Sequence, residues 1–295
     1  MFIIKNKKIF VIISAVLVSF SIFSMIFFGL KFGIDFKGGS LLEVQYSDVR
    51  PTQSEIEEAI KPLSLGSIVV QPMGEMGYSI KTRDITLEEK NSIMGSLGET
   101  AEELNFNSIG PSVGAELVRK SIISFILVVL GIIFWIAFSF RKVSKPVSSW
   151  KYGLIAIVSL IHDVIIPTGI LALLGYIYGV EIDTLFVVAI LTILGLSVSD
   201  TIVVFDRIRE NIRIGNFKTF EETVGRSLDQ VYTRSIATSF TVIIVLLALV
   251  FFGPASTKFF AIILTVGMFF GTYSSIFLAS PLLVMVNNLQ TKKKN

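Results

Sequence analysis

Two carboxylates and one guanidinium occupy positions where a side chain of that type costs about 2.5–3.5 kcal/mol on membrane-insertion scales, and they are therefore the first candidates for chemistry. Asp163 falls eleven residues into an apolar run, about 16 Å along it by helical rise, with His162 beside it. Asp200 lies within Gly195–Leu196–Ser197–Val198–Ser199–Asp200–Thr201, and Arg234 opens a later run. Desolvation favours the protonated form of a carboxyl group, and a neighbouring guanidinium favours the charged form. Movement of Arg234 toward or away from Asp200 would thus turn proton or cation binding into motion. The plainer readings stand beside this one. Asp200 could serve packing through a bond to Ser197, and Arg234 could snorkel from a helix end. His162 reads as a packed, hydrogen-bonded side chain rather than a relay member. Ser197, Ser199 and Thr201 are secondary polar candidates. Asp206 and Arg207, with Arg209 and Glu210, read as a solvated helix end with i,i+3 and i,i+4 pairs.

Composition removes other chemistries. The 295 residues include no cysteine, so there is no thiol nucleophile, zinc–thiolate site or disulfide, and the single histidine argues against a histidine metal site. No catalytic residue, cofactor or metal is assigned. The net charge of +3 does not imply nucleic acid, because the lysines and arginines sit at the borders of the apolar runs.

These residues need a membrane bundle to position them. With 52% hydrophobic residues and a mean hydropathy of +0.74, the chain is too apolar for an ordinary soluble protein. Six stretches are long enough to span a bilayer: Ile9–Leu30, Ile122–Phe140, Tyr152–Tyr178, Thr184–Phe205, Ser235–Phe252 and Phe259–Val286. The first lacks a small-residue cleavage site and reads as a retained anchor. Lys5, Lys7 and Lys8 precede the first span. Arg141, Lys142, Lys145 and Lys151 follow the second, Arg207 to Arg234 hold six bases between the fourth and fifth, and Lys292, Lys293 and Lys294 close the tail. The positive-inside rule then puts both termini in the cytoplasm and the domain between the first two spans outside. The expected organisation is an anchor in 1–30, an external domain in 31–120, five helices in 121–286 with a cytoplasmic loop at 207–234, and a basic tail in 287–295. Within that loop, Phe220, Val224, Leu228 and Val231 recur at helical spacing, as in an amphipathic helix lying on the inner membrane face or packed on the bundle. Gly267-x-x-x-Gly271, followed by Ser274, Ser275 and Ala279, suggests close helix packing inside the chain or with another subunit.

Residues 31–120 carry fourteen acids against nine bases and lose the apolar runs. Leu41–Tyr46, Ser67–Gln71, Tyr78–Thr82 and Phe106–Ile109 read as strands. Thr52-x-x-Glu55 and Thr86-x-x-Glu89 read as capping boxes opening two helices, the second running toward Leu104 with Gly95 and Gly98 as interruptions. The order β-α-β-β-α-β is that of the split ferredoxin-like unit, giving an α+β domain between the first two spans of a six-helix polytopic protein. Gly33, Gly38, Gly39, Gly110 and Pro111 mark two junctions that read as hinges. Asp35 and Lys37 read as loop polarity.

The segments Phe32–Ser40 (FGIDFKGGS), Gly110–Leu117, Gly195–Asn211 (GLSVSDTIVVFDRIREN), Arg226–Ser239 and Gly271–Leu283 follow one another in the order seen in the SecF branch of the SecD/SecF family, in the RND superfamily, which the whole chain resembles. The resemblance implies a subunit of the bacterial Sec export machinery that pairs with SecD as a heterodimer and uses a proton or sodium gradient to drive late stages of preprotein translocation. It places the family's ion-coupling aspartate on Asp200 and its partner arginine on Arg234. It implies the SecYEG translocon, YajC, unfolded preprotein and membrane lipid as partners. Half of a proton-driven RND exporter of small molecules or lipids is an alternative, although the external domain is small for a substrate chamber. An intramembrane aspartyl protease using Asp163 and Asp200 is another, but it leaves Arg234 and the external domain without a role.

Overall fold

The computed structural model describes residues 1–140, 147–215 and 217–292. Arg141, Lys142, Lys145, Lys293 and Lys294, which contribute to the expected orientation, lie outside the described residues. Contacts divide the chain into a unit of 1–30, 124–180 and 185–295 and a second unit of 31–123 with 181–184.

The second unit contains β1 (Gly39–Tyr46), α2 (Gln53–Ile60), β2 (Val69–Met73), β3 (Gly77–Thr82), α3 (Leu87–Leu97) and β4 (Ala101–Ile109), following the first unit's α1 (Lys7–Phe28). The sheet order is β2-β3-β1-β4, with every neighbouring pair antiparallel. β1 and β2 are therefore parallel and split by β3, as the element order requires of a ferredoxin-like unit. Both capping boxes form: the Thr52 and Thr86 side chains accept from the amides of Glu55 and Glu89, whose carboxylates reach back to the cap amides. Leu42, Val44, Ile80, Ile56, Ile60 and Ile93 close the core between sheet and helices. The second helix stops at Leu97, where Gly98 adopts φ +89°, so Leu104 belongs to β4 and not to the helix.

Among the described residues, six helices are long and apolar enough to cross a membrane. They are α1, α4 (Pro111–Phe140), α5 (Ser149–Tyr178), α6 (Thr184–Ile214), α7 (Phe220–Phe252) and a last span that runs from α8 (Ala255–Tyr273) through a π-helical turn (Ser274–Ala279) into α9 (Ser280–Lys292). The last span and α5 are the most enclosed, with 61% and 56% of their apolar stretches buried, whereas α4 and α7 bury only 6% and 11% and leave broad apolar faces free within the chain. Ser24 Oγ donates to the carbonyl of Gly169 at 2.8 Å, and a Cβ at Gly169 would lie 2.4 Å from Ser21, so α1 and α5 touch almost backbone to backbone.

The structure corrects the expected loop at 207–234. Residues up to Ile214 continue α6, and α7 begins at Phe220. Val224, Leu228 and Val231 are buried in the bundle core against Val204, Phe205 and Ile208. The segment is therefore packed on the bundle, and its apolar stripe is satisfied by protein. The N-cap is Thr219, whose side chain accepts from the amide of Glu222 at 3.1 Å.

Candidate functional site

Three helices and the π-helical turn bring the polar residues of the spans together. Gly267 and Gly271 allow this approach. A Cβ at Gly267 would lie 2.1 Å from Ile193, and one at Gly271 would lie 3.2 Å from the Ser197 Cβ, so the small-residue stripe packs on α6 within the same chain. Ser274 and Ser275, at the start of the π turn, then face α5 and α6. A π turn inserts an extra residue into the helical repeat and is frequent at functional sites.

Asp163 is fully buried and accepts from three directions. Ser274 Oγ donates to its Oδ2 at 2.8 Å, Ser197 Oγ makes a short bond to the same oxygen, and His162 Nδ1 lies 2.8 Å from Oδ1. His162 is also buried and stacks on Tyr273, with ring centroids 6.1 Å apart. The histidine thus directly partners the carboxylate that it adjoins in sequence. Thr201 and Ser275 form a second hydroxyl bridge between α6 and the π turn at 2.8 Å.

Asp200 is half-buried and held differently. Thr272 Oγ1 donates to its Oδ2 at 3.2 Å and also meets Ser239 Oγ of α7. The Ser239 hydroxyl also donates to the Ser235 carbonyl at 3.0 Å, so Ser239 and Thr272 share their protons among three acceptors. Among the described residues no hydrogen bond joins Asp163 to Asp200, and the hydroxyls that hold them differ. A proton-sharing aspartyl-protease dyad has no geometric support here.

Arg234 is exposed, and among the described residues it makes no ion pair. The register of the α6–α7 hairpin explains this. Asn211 Nδ2 donates to Ser227 at 2.8 Å and Arg207 Nε to Gln230 at 2.6 Å. Continued along both helices, this register sets Asp200 opposite Ser239 and leaves Arg234 about one and a half turns, roughly 7.5 Å, nearer the hairpin turn. There Arg234 lines a cleft of about 310 Å³ with Val203, Asp206, Arg207, Glu210 and Gln230. Arg207 pairs with Glu210 at 2.5 Å and Arg209 with Asp206 at 3.5 Å. Ser199 is exposed and has no part in the buried cluster. Among the described residues, no group of three His, Cys, Asp or Glu side chains is arranged to hold a metal.

Sequence reasoning found Asp163, Asp200 and Ser197 but missed Ser239, Thr272 and the ligand role of Ser274. Their signal is the recurrence of hydroxyls in apolar helices, of which only Ser274 reads in the sequence as a small packing residue.

The junction glycines are packed, not open. Gly38 (φ +78°) and Gly39 (φ +134°) adopt backbone conformations that disfavour a side chain, and their Cβ positions would lie 3.0 Å from the Pro111 Cα and 2.7 Å from the Thr82 carbonyl oxygen. Gly110 has more room, 3.5 Å from the Asp84 carboxylate.

The family model for the C-terminal part of the protein export membrane proteins SecD/SecF matches residues 89–289, and the SecD/SecF GG motif matches residues 23–48. The chain belongs to the SecD/SecF family. It is 41% identical to the protein translocase subunit SecF of Thermobaculum terrenum over 97% of this chain and 94% of that one. It is 36% identical to that of Anaerolinea thermophila over 96% and 93%. In Bacillus subtilis SecDF, 33% identical, the match takes in 98% of this chain but 38% of the longer one. The crystal structure of the translocon-associated SecDF of Thermus thermophilus superposes with a TM-score of 0.81 at 27% identity, covering 97% of this chain and 38% of that one. The six-helix, four-stranded architecture is thus that of the SecF portion of SecDF. The family carries the Sec-associated translocation role.

Proposed function

We propose that this chain is a SecF subunit that pairs with SecD and couples an ion gradient to late stages of preprotein translocation beside the SecYEG channel, with YajC and membrane lipid as further neighbours. Asp200 is the ion-binding group, Arg234 its counter-charge and Asp163 a second carboxylate within the same bundle. Both termini face the cytoplasm and residues 31–120 lie outside. The chain acts as an accessory subunit with no catalytic residue of its own.

The observation that carries this reading is the placement of two carboxylates on adjoining helices, each tied by hydroxyls to one continuous stretch, Thr272 for Asp200 and Ser274 for Asp163. That stretch enters a π turn, so a change in occupancy at Asp200 bears on a helix with an alternative hydrogen-bond pattern available. One charge crossing 100 mV supplies about 2.3 kcal/mol, enough to bias a modest domain movement. The free apolar faces of α4 and α7 are where a SecD half-bundle would pack.

The test is Asp200→Asn in membrane vesicles exporting a preprotein. Insertion and assembly with SecD are expected to be normal, with loss of gradient-dependent export. Wild-type rates with the gradient both imposed and collapsed would refute the assignment.

A further inference from the structure

The four residues between α5 and the body of α6, Glu181–Thr184, belong to the same compact unit as the sheet domain. Three separate contacts fix them there. The backbone of Phe32 forms a parallel bridge with Ile182: the Gly33 amide donates to the Ile182 carbonyl at 2.9 Å, and the Ile182 amide donates to the Lys31 carbonyl at 2.6 Å. A Cβ at Gly33 would lie 3.2 Å from that Ile182 oxygen, which accounts for the glycine. Lys81 of β3 reaches Glu181 at 2.9 Å, and both side chains are largely buried. The Asp35 carboxylate accepts from both the Thr184 amide at 2.8 Å and the Thr184 hydroxyl at 2.6 Å through a single oxygen.

Thr184 is the first residue of α6. The leading amides of a helix have no partner within it, and their end of the helix dipole favours a negative charge. Asp35 supplies that charge from 149 residues away. The helix it caps carries Asp200 sixteen residues on, about 24 Å by helical rise. Asp35 itself is fixed, because Gly38 and Gly39 hold the following turn against Pro111 and Thr82.

We infer that Asp35, with the Lys81–Glu181 pair, forms a strut onto Glu181–Thr184, the segment that opens α6, making Asp35 a positioning residue for the helix that carries Asp200. Asp35 acts through the helix end that it binds. The inference rests on the ion-coupling reading above.

The chain has no cysteine, so an engineered pair is the only one able to close within it. Phe32→Cys with Ile182→Cys is expected to form a disulfide in membranes containing SecD, and the oxidised protein is expected to keep its gradient-stimulated export. In that background Asp35→Ala should lower the cross-linking rate by about tenfold, as befits loss of two charge-assisted bonds. Asp35→Ala alone should abolish gradient-stimulated export and leave gradient-independent export unchanged, while Asp35→Asn, which keeps an acceptor, restores part of it. Lys81→Glu should be rescued by Glu181→Lys. Absence of the cross-link, an unchanged cross-linking rate in Asp35→Ala, or loss of export in the oxidised pair would overturn the strut. Full gradient stimulation in Asp35→Ala where Asp200→Asn has none would overturn this inference alone. Full stimulation in Asp200→Asn would instead remove the coupling reading on which it rests.

Discussion

Ser274 donates to Asp163 at 2.8 Å from the first residue of a π-helical turn, so the deepest carboxylate of the bundle is bonded to the least regular part of its last span. Ser274→Ala removes one of the groups satisfying Asp163 and should destabilise the protein by about 1–2 kcal/mol. Asp163→Ala should cost more, because it removes the shared partner of Ser197, Ser274 and His162 at once. Thermal unfolding in detergent, read with the assembled complex, checks both, and equal midpoints for the two variants would contradict the shared-acceptor geometry.

Gly267 should tolerate no side chain without compensation. Gly267→Ala meets Ile193 and should destabilise by about 1–3 kcal/mol through overpacking. Adding Ile193→Ala should recover most of that loss, and Gly195→Ala, with nothing within 4 Å, should be near neutral by the same unfolding measurement.

Among the described residues Arg234 makes no planar, bidentate contact, so its charge is expected to matter more than its shape. Arg234→Lys should keep gradient-stimulated export within about threefold of wild type, whereas Arg234→Gln should lose it. Vesicle export under an imposed gradient separates the two, and failure of the lysine variant would indicate a fork contact made in another state.

The sheet domain should loosen in acid at the start of α3. The Arg83 guanidinium and the Thr86 amide hold the Glu89 carboxyl below its ordinary value of 4.5. A lowered acid pKa contributes stability that is present in full above that ordinary value and is lost as pH falls through the lowered one. Hydrogen exchange of the α3 amides should therefore speed up, relative to Glu89→Gln at the same pH, only when pH is taken below that ordinary value. A difference that persisted unchanged at lower pH would exclude the carboxylate as its source.

Several features could be read from the chain because their causes are local. A capping box needs residues three apart, so Thr52–Glu55 and Thr86–Glu89 fixed two helix starts, and hydropathy fixed six spans. The cost of burying a carboxylate in an apolar run singled out Asp163 and Asp200 without any knowledge of neighbours. The length of α7 was not legible, because the polar residues from Glu221 to Arg234 interrupt the hydropathy of a helix whose other face is buried by α6.

The sequence by itself determined which side chains cannot rest in lipid unpartnered, and the order of strands and helices that surrounds them. Only the tertiary structure decided what those side chains touch: Ser274 and His162 on Asp163, Thr272 on Asp200, Asp35 on Thr184. Apart from His162, these partners lie 72 to 149 residues apart, and a hydroxyl or loop carboxylate leaves no periodic trace of its distant partner. Close packing at Gly267 and Gly271, and the cap that α6 takes from a remote segment, created those contacts.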